Sequence, residues 1–167
     1  TEGNDVWFKV CCTDSTQGHR RAQYIDEDVE DPQIGLIDRN DDQDAQGIRD
    51  NVVAEAETRG LSVVYEGTFT EASQTDFNVQ LTAAQAAGAD LLFLPIYYTP
   101  ASVILTQANA MVYSPTFFGV YGLDGVLPAE HFPASLADGA YLLTPFPPAP
   151  APAPPQAVVL ASPTQLP

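Results

Sequence analysis

The chain has 167 residues, which is long enough for one domain with a sizeable hydrophobic core. Its 22 acidic residues against 6 basic ones give a formal net charge of −16, which disfavours binding to nucleic acids and to anionic membrane surfaces. No apolar run approaches the roughly 20 residues of a membrane span, and no basic segment followed by an apolar one opens the chain. We therefore expect no membrane insertion and no retained signal peptide.

Short apolar runs alternate with segments of helical periodicity along most of the chain. The predicted strands are residues 7–11, 34–37, 61–65, the apolar run that starts at 91, 115–120 and 140–143. The predicted helices are residues 18–30, the segment with Ile48, Val52 and Ala56 inward, the segment with Phe77, Leu81, Ala84 and Ala87 in line, and residues 101–111. Such alternation is typical of βαβ units with right-handed crossovers. The pattern predicts an α/β fold, a three-layer αβα sandwich around a mostly parallel, Rossmann- or flavodoxin-like sheet of about five strands.

The helix ends carry recognisable capping residues. Gly60 and Gly88 stand where a helix commonly ends in a left-handed residue. Thr75 or Asp76 is the expected N-cap of the helix between them.

Residues 38–44 form a predicted polar loop. Asp38, Asn40 and Asp42 fit the first three ligand positions of a calcium-binding loop, but the sixth position is not glycine and the twelfth is not glutamate. The flanking elements are also a strand and a helix rather than two helices. A solvated acidic loop that caps the next helix is therefore favoured over a calcium site, which stays the alternative.

The run at residues 91–100 is the most informative segment. Apolar residues up to Ile96 predict a strand that is covered on both faces. Thr99 is the expected N-cap and Pro100 the expected first residue of the following helix. Tyr97 and Tyr98 should therefore lie at the carboxyl end of a central strand, where ligands bind in open α/β sheets.

The composition changes near the end of the chain. Residues 1–146 are predicted to form the α/β ligand-binding lobe, and residues 147–167 a Pro/Ala-rich extended tail or linker. A linker is favoured over a proline-rich ligand for an aromatic groove. The apolar residues 157–161 could add a short edge strand.

No arrangement of residues suggests catalysis. Cys11 and Cys12 are adjacent, so a bridge between them would be strained, and free thiols are expected. His19 and His131 have no evident partner, and the glycines of residues 119–125 have neither dinucleotide nor P-loop spacing. We predict that the chain is not an enzyme and that it holds no cofactor and no metal.

Five short segments occur in an order and spacing that resemble a known family. They are FKVCCTDSTQG at 8–18, DDQDAQG at 41–47, TDF at 75–77, LPIYY at 94–98 and FGVYG at 118–122. Together they resemble the bacterial branched-chain amino-acid (Leu/Ile/Val-type) ABC-transporter substrate-binding proteins, which have the type I periplasmic-binding fold. The resemblance runs from about residue 4 to residue 145 and covers the second of the family's two lobes only.

The resemblance implies non-catalytic binding of a small amino-acid-like ligand between two lobes. Tyr97 matches a tyrosine that packs on the bound amino acid, with Tyr98 beside it, and Asp14 lies near the mouth of the cleft. Tyr121 occupies the place of an acidic residue that binds the α-ammonium group. Asp124, three residues further on, is the candidate substitute.

The resemblance also implies partners and a compartment. The parent family uses a first lobe, missing in this chain, and an ABC permease, and its members are extracellular or periplasmic, often as cell-surface lipoproteins. The alternative is a structural or self-assembling extracellular domain that uses the exposed lobe surface and the tail. An enzyme of flavodoxin or receiver type is disfavoured. Receiver chemistry needs a lysine late in the sheet to pair with the phosphoryl group, and the only lysine, Lys9, lies too early in the chain.

Overall fold

The computed structural model describes residues 14–29, 31–127, 132–143 and 158–160. Its four α-helices are α1 (Asp14–Asp28), α2 (Gln43–Arg59), α3 (Asn78–Ala86) and α4 (Tyr98–Ala110). Its six described strands are β1 (Gln33–Arg39), β2 (Ser62–Phe69), β3 (Leu91–Leu94), β4 (Thr116–Gly119), β5 (Tyr141–Leu143) and β6 (Val158–Leu160). Within these residues, no helix combines the length and the apolar character that crossing a membrane requires.

The described strands form one sheet in the order β2-β1-β3-β4-β5-β6, and every neighbouring pair is parallel. The predicted α/β fold is confirmed, with one strand more than the expected five or so. That extra strand is β6, which pairs with β5 at the edge and lies within the segment 157–161 predicted as a possible edge strand. The strand order reverses direction between β1 and β3, since the chain goes outward from β1 to β2 and then returns past β1 to β3.

Helices cover both faces of the sheet. Ile25 of α1 and Val52 of α2 pack with the β-strand residues Ile34, Leu36 and Phe93 in one buried cluster. Leu81 of α3 and Ile104 of α4 belong to the other cluster, together with the β3 residues Leu92 and Leu94. Because successive residues of β3 point to opposite faces, a strand covered on both sides needs apolar residues at every position. This explains the uninterrupted apolar run that begins at Leu91.

Helix ends agree with the sequence at some positions and differ at others. Gly60 and Gly88 have φ values of 74° and 80°, so both predicted left-handed helix ends are confirmed. The predicted N-cap of α3 is wrong, because Phe77 is the N-cap and neither Thr75 nor Asp76 occupies that position. Helix α1 starts at Asp14, four residues before the predicted start. The sequence periodicity did not mark this first part of α1 as helical.

Some predictions fall on residues outside the described part of the chain. These include the strand at residues 7–11, the adjacent thiols of Cys11 and Cys12, Lys9, His131 and the proline-rich stretch 147–155.

Candidate functional site

The carboxyl ends of β1 and β3 define the place where a ligand is most easily accommodated. The connection after β1 leads to α2 on one face of the sheet, and the connection after β3 leads to α4 on the other face. Two adjacent parallel strands whose crossovers diverge leave a crevice between their loops, which is the usual binding position in open α/β sheets.

The segment after β3 carries the predicted tyrosines. β3 ends at Leu94, and α4 begins at Tyr98 with Tyr97 as its N-cap residue. The prediction that Thr99 is the N-cap and Pro100 the first helical residue is therefore wrong, because the helix starts one residue before Thr99. Pro100 is accommodated as the third helical residue, since the first N–H groups of a helix have no intrahelical acceptor. The tyrosines thus form the helix N-terminus instead of facing it.

Two clefts lie at this crevice, and Tyr97 borders both of them. The larger cleft has a volume of about 200 Å³. The smaller has a volume of about 20 Å³ and is also lined by Tyr121, Asp42 and Asp44. Tyr97 is 48% exposed and Tyr121 is 37% exposed, so both rings are accessible. The structure therefore brings Tyr97 and Tyr121 together, whereas Tyr98 lines neither of these two clefts.

A glycine-containing turn packs closely against Tyr97 and Tyr98. The 3-10 helix Tyr121–Gly125 follows β4. A Cβ atom placed on Gly122 would lie 3.0 Å from the backbone oxygen of Ile96 and 3.2 Å from Cδ1 of Tyr97. A Cβ atom on Gly125 would lie only 2.6 Å from Cδ1 of Tyr98. The two glycines allow the turn to approach the α4 N-terminus closely. Their position just after β4 is the sequence signal that could have indicated this close approach.

The two predicted aspartates, Asp14 and Asp124, can be assigned to elements of the backbone. Asp14 is the first residue of α1, and Asp124 lies within the 3-10 helix that starts at Tyr121. Asp124 therefore belongs to the same turn as Tyr121, while Asp14 lies on a different element.

A charged cluster at the end of β1 was not predicted as part of the site. Arg39 Nε lies 3.1 Å from Oδ1 of Asp41, and Arg39 Nη2 donates to Oδ2 of Asp42 at 3.0 Å. Asp42 is the N-cap of α2, and its Oδ1 accepts hydrogen bonds from the backbone N–H groups of Asp44 and Ala45. The expected helix-capping role of the acidic loop is confirmed for Asp42, and the cap fixes the Arg39 side chain at the larger cleft.

Asp38 differs from its prediction as a loop residue. It belongs to β1 and is 1% exposed, on the face of the strand that packs against α2. Neither carboxylate oxygen has a hydrogen-bond partner among the described groups. Burial raises the pKa of the Asp38 carboxyl, and the nearby Arg49 guanidinium opposes this shift. Asp38 thus lies inside the sheet while Asp42 caps a helix, and no group of three potential metal ligands occurs in the described segments.

His19 has a partner that the sequence did not reveal. Its Nδ1 lies 3.0 Å from Oε2 of Glu55, so this histidine joins α1 to α2. The expectation that it lacks a partner is wrong, because the partner lies 36 residues away on a neighbouring helix.

Known proteins share the fold described above. A family model described as periplasmic binding protein matches residues 2–161. Among solved structures, the branched-chain amino acid transporter substrate binding protein LivJ from Streptococcus pneumoniae, in complex with isoleucine, has 24% identity and a TM-score of 0.71 over 82% of this chain and 38% of its own. The leucine binding protein LivK from Thermotoga maritima has 18% identity and a TM-score of 0.69 over 76% of this chain and 36% of its own.

A further similar structure is a branched-chain amino acid ABC transporter protein from Thermus thermophilus with bound valine, with 16% identity and a TM-score of 0.61 over 68% of this chain and 30% of its own. A comparison with curated protein sequences gives no significant match. The chain spans about a third of the length of these structures, which corresponds to one lobe. At these identities the similarity concerns the fold, and it agrees with the type I lobe that the sequence predicted.

Proposed function

The chain belongs to the periplasmic binding protein family, and from that premise we propose that it forms one wall of a cleft for a small amino-acid-like solute. Binding is non-covalent and involves no chemical step. The chain corresponds to the second lobe, and the other wall is supplied by a first lobe that closes over the ligand. The complete protein works outside the cytoplasm and delivers its ligand to an ABC permease.

The observation that supports this proposal is the position of Tyr97. Its ring borders both clefts at the point where the strand order reverses, and Tyr121 borders the smaller cleft with it. Aromatic faces combine apolar contact with attraction for a cation, and the phenol of Tyr97 adds a hydrogen-bonding hydroxyl. Such a wall suits a molecule that carries both an apolar part and an ammonium group.

Asp44 is the proposed partner of the ammonium group. Tyr121 stands where the resemblance places an acidic residue, so the charge must come from elsewhere. Asp44 lines the same small cleft as Tyr121 and is exposed, and no described hydrogen bond occupies its carboxylate. The cleft volume of about 20 Å³ matches a group the size of one water molecule, and an ammonium group is of that size.

Paired substitutions at the two neighbouring tyrosines test the binding wall. We expect the isolated chain to bind L-isoleucine weakly, in the millimolar range, because half a cleft makes only part of the contacts. Tyr97→Ala should weaken this binding about fivefold or more, the equivalent of one lost aromatic contact. Tyr98→Ala removes a similarly exposed ring that lines neither cleft, and it should change the affinity less than twofold. NMR titration of the labelled protein measures both, and equal losses for the two variants would contradict the proposed wall.

Asp44→Asn tests the ammonium contact separately. This variant should weaken binding of L-leucine while leaving binding of 4-methylpentanoate, which lacks the ammonium group, unchanged. The same NMR titration distinguishes the two ligands, and parallel losses for both would exclude the assigned contact.

A second candidate function is assembly through the exposed lobe surface. Three exposed tyrosines follow the carboxyl ends of β3 and β4: Tyr97 (48% exposed), Tyr98 (45%) and Tyr121 (37%). Exposed aromatic groups of this kind also serve association. Sedimentation at several concentrations tests it: association that Tyr97→Ala weakens supports assembly, and a monomer at every concentration excludes it.

A further inference from the structure

The larger cleft combines an apolar wall with polar groups from three separate segments. Phe69, Ile96 and Tyr97 supply the apolar part of its lining. Arg39 at the end of β1, Gln74 in the loop after β2 and Thr99 in the first turn of α4 supply polar groups. A few polar groups on a largely apolar lining are typical of a small-molecule site.

The polar groups of this cleft are available to a ligand. Arg39 Nη2 donates to Asp42, Nε lies 3.1 Å from Oδ1 of Asp41 without making a hydrogen bond, and Nη1 makes no hydrogen bond to any described residue. The side-chain amide of Gln74 and the hydroxyl of Thr99 likewise have no partner within the described part of the chain. Three unused hydrogen-bonding groups therefore border one cavity of about 200 Å³.

The charges around the cleft select against an ionised ligand group. Asp41 and Asp42 both pair with Arg39, so the three side chains together carry one negative charge. Asp42 and Arg39 both line the cleft, so an entering carboxylate would meet Asp42 and an entering ammonium group would meet the guanidinium. A neutral group that both donates and accepts hydrogen bonds avoids both repulsions and satisfies the free donors.

We propose that the larger cleft receives the side group of the solute and that this group is neutral and polar, a carboxamide or a hydroxyl. The ligand is then a polar amino acid of the glutamine or asparagine type, rather than an aliphatic branched-chain amino acid. The inference rests on the proposed function, with the ammonium group in the smaller cleft beside Asp44 and Tyr121. An aliphatic side chain in the larger cleft would displace water from the polar lining and replace none of its hydrogen bonds.

NMR titration of the full labelled chain with three amino acids tests the assignment. L-Glutamine should bind with a Kd about 3- to 10-fold lower than that of L-leucine, as one or two net hydrogen bonds imply. L-Glutamate, which has nearly the same shape as glutamine and a full negative charge, should bind more weakly than glutamine.

Gln74→Leu tests the lining, and Gln85→Leu is its matched control. Gln74 borders the cleft, whereas Gln85 is exposed on α3 and lines neither cleft. Gln74→Leu should reduce the preference for glutamine over leucine to within about twofold, as expected when one hydrogen bond is lost. Gln85→Leu should leave the preference as it is in the unmodified chain.

The outcomes separate this inference from the function on which it rests. If leucine binds as tightly as glutamine and still perturbs Tyr97, the polar side-group assignment is overturned and the aromatic wall stands. If glutamate binds more tightly than glutamine, the larger cleft is an anion site and the assignment is again overturned. If none of the three amino acids perturbs the chain, the proposed solute-binding function fails together with the inference.

Discussion

Val112 adopts a backbone conformation that glycine normally supplies. Its φ is 58°, and its side chain is 86% exposed, so little packing compensates for the strain. The N–H of Val112 donates to the Asn109 carbonyl at 3.0 Å, and the N–H of Tyr113 donates to the Ala108 carbonyl at 3.0 Å. This is the Schellman arrangement that also closes α3 at Gly88. A β-branched residue is unfavourable at that position.

Val112→Gly should therefore stabilise the fold. Relief of the left-handed strain exceeds the added chain entropy of glycine, and the expected gain is about 0.5–1 kcal/mol. Thermal unfolding followed by circular dichroism should show a Tm increase of about 1–4 °C. Val79→Gly, at an 80% exposed position in the first turn of α3, is the control and should bring no gain. A Tm decrease for Val112→Gly would show that the local backbone is unstrained.

Asp38 makes stability depend on pH. Its pKa is raised in the folded state, so the folded chain holds this proton more tightly than the unfolded chain. The resulting contribution is fully present below the ordinary pKa of 3.8 and is lost as the pH rises through the folded-state pKa. Ionisation of Asp38 places a charge at a buried site where neither carboxylate oxygen has a hydrogen-bond partner among the described groups.

Asp38→Asn removes that charge and keeps the shape of the side chain. We expect a gain of about 1 kcal/mol at pH 7 that shrinks towards zero as the pH approaches 3.8. Urea unfolding at several pH values measures it, with the exposed Asp138→Asn as the control. A gain that is constant with pH would exclude the titration of Asp38 as its cause.

At the scale of elements, α1 is held to α2 by charged side chains. Arg59 of α2 donates to Asp26 of α1 at 2.9 Å and to Glu55 of its own helix at 2.8 Å. Glu55 also pairs with His19 of α1. Hydrogen bonds from His19, and then from Arg59, lower the pKa of the Glu55 carboxyl. This contribution is present above the ordinary pKa of 4.5 and is lost as the pH falls through the lowered folded-state value.

Glu55→Gln should loosen α1 without unfolding the sheet. Hydrogen exchange at neutral pH should become faster in the amides of α1 and stay unchanged in β3 and β4. Glu57→Gln changes an exposed glutamate of the same helix with no described side-chain partner, and it should leave α1 protected. Uniformly faster exchange across the sheet would mean that Glu55 supports the whole fold instead.

Element types were predictable because apolar periodicity reflects burial directly. The run at β3 and the inward residues of α2 have the expected positions. Element ends were less predictable, because they depend on local hydrogen bonds. Thr99 and Pro100 are a favourable start for a helix, yet the backbone turns earlier, at Tyr97, where the 3-10 helix after β4 packs against it.

At the scale of the whole molecule, the family resemblance predicted the fold, whereas the composition of the site needed the structure. Tyr97 could be placed at the crevice because a strand end and a helix start are visible in the sequence. Arg39 and Gln74 could not be placed there from the sequence. They lie 35 residues apart, and only the order of the strands in the sheet brings them to the same cleft as Tyr97. Asp38 looked like a loop residue because its burial depends on α2 covering β1.

The central claim is that an amino acid binds where the loops after β1, β3 and β4 meet. The most direct measurement is a two-dimensional ¹H–¹⁵N NMR titration of the labelled 167-residue chain with L-glutamine and L-leucine. The account predicts saturable shifts confined to the amides that border the two clefts, at residues 39, 42–45, 69, 74, 96–99 and 120–123. Shifts at the amino ends of the strands, near residues 33, 62, 90 and 116, would contradict it. The absence of a saturable shift at every amide would also contradict it.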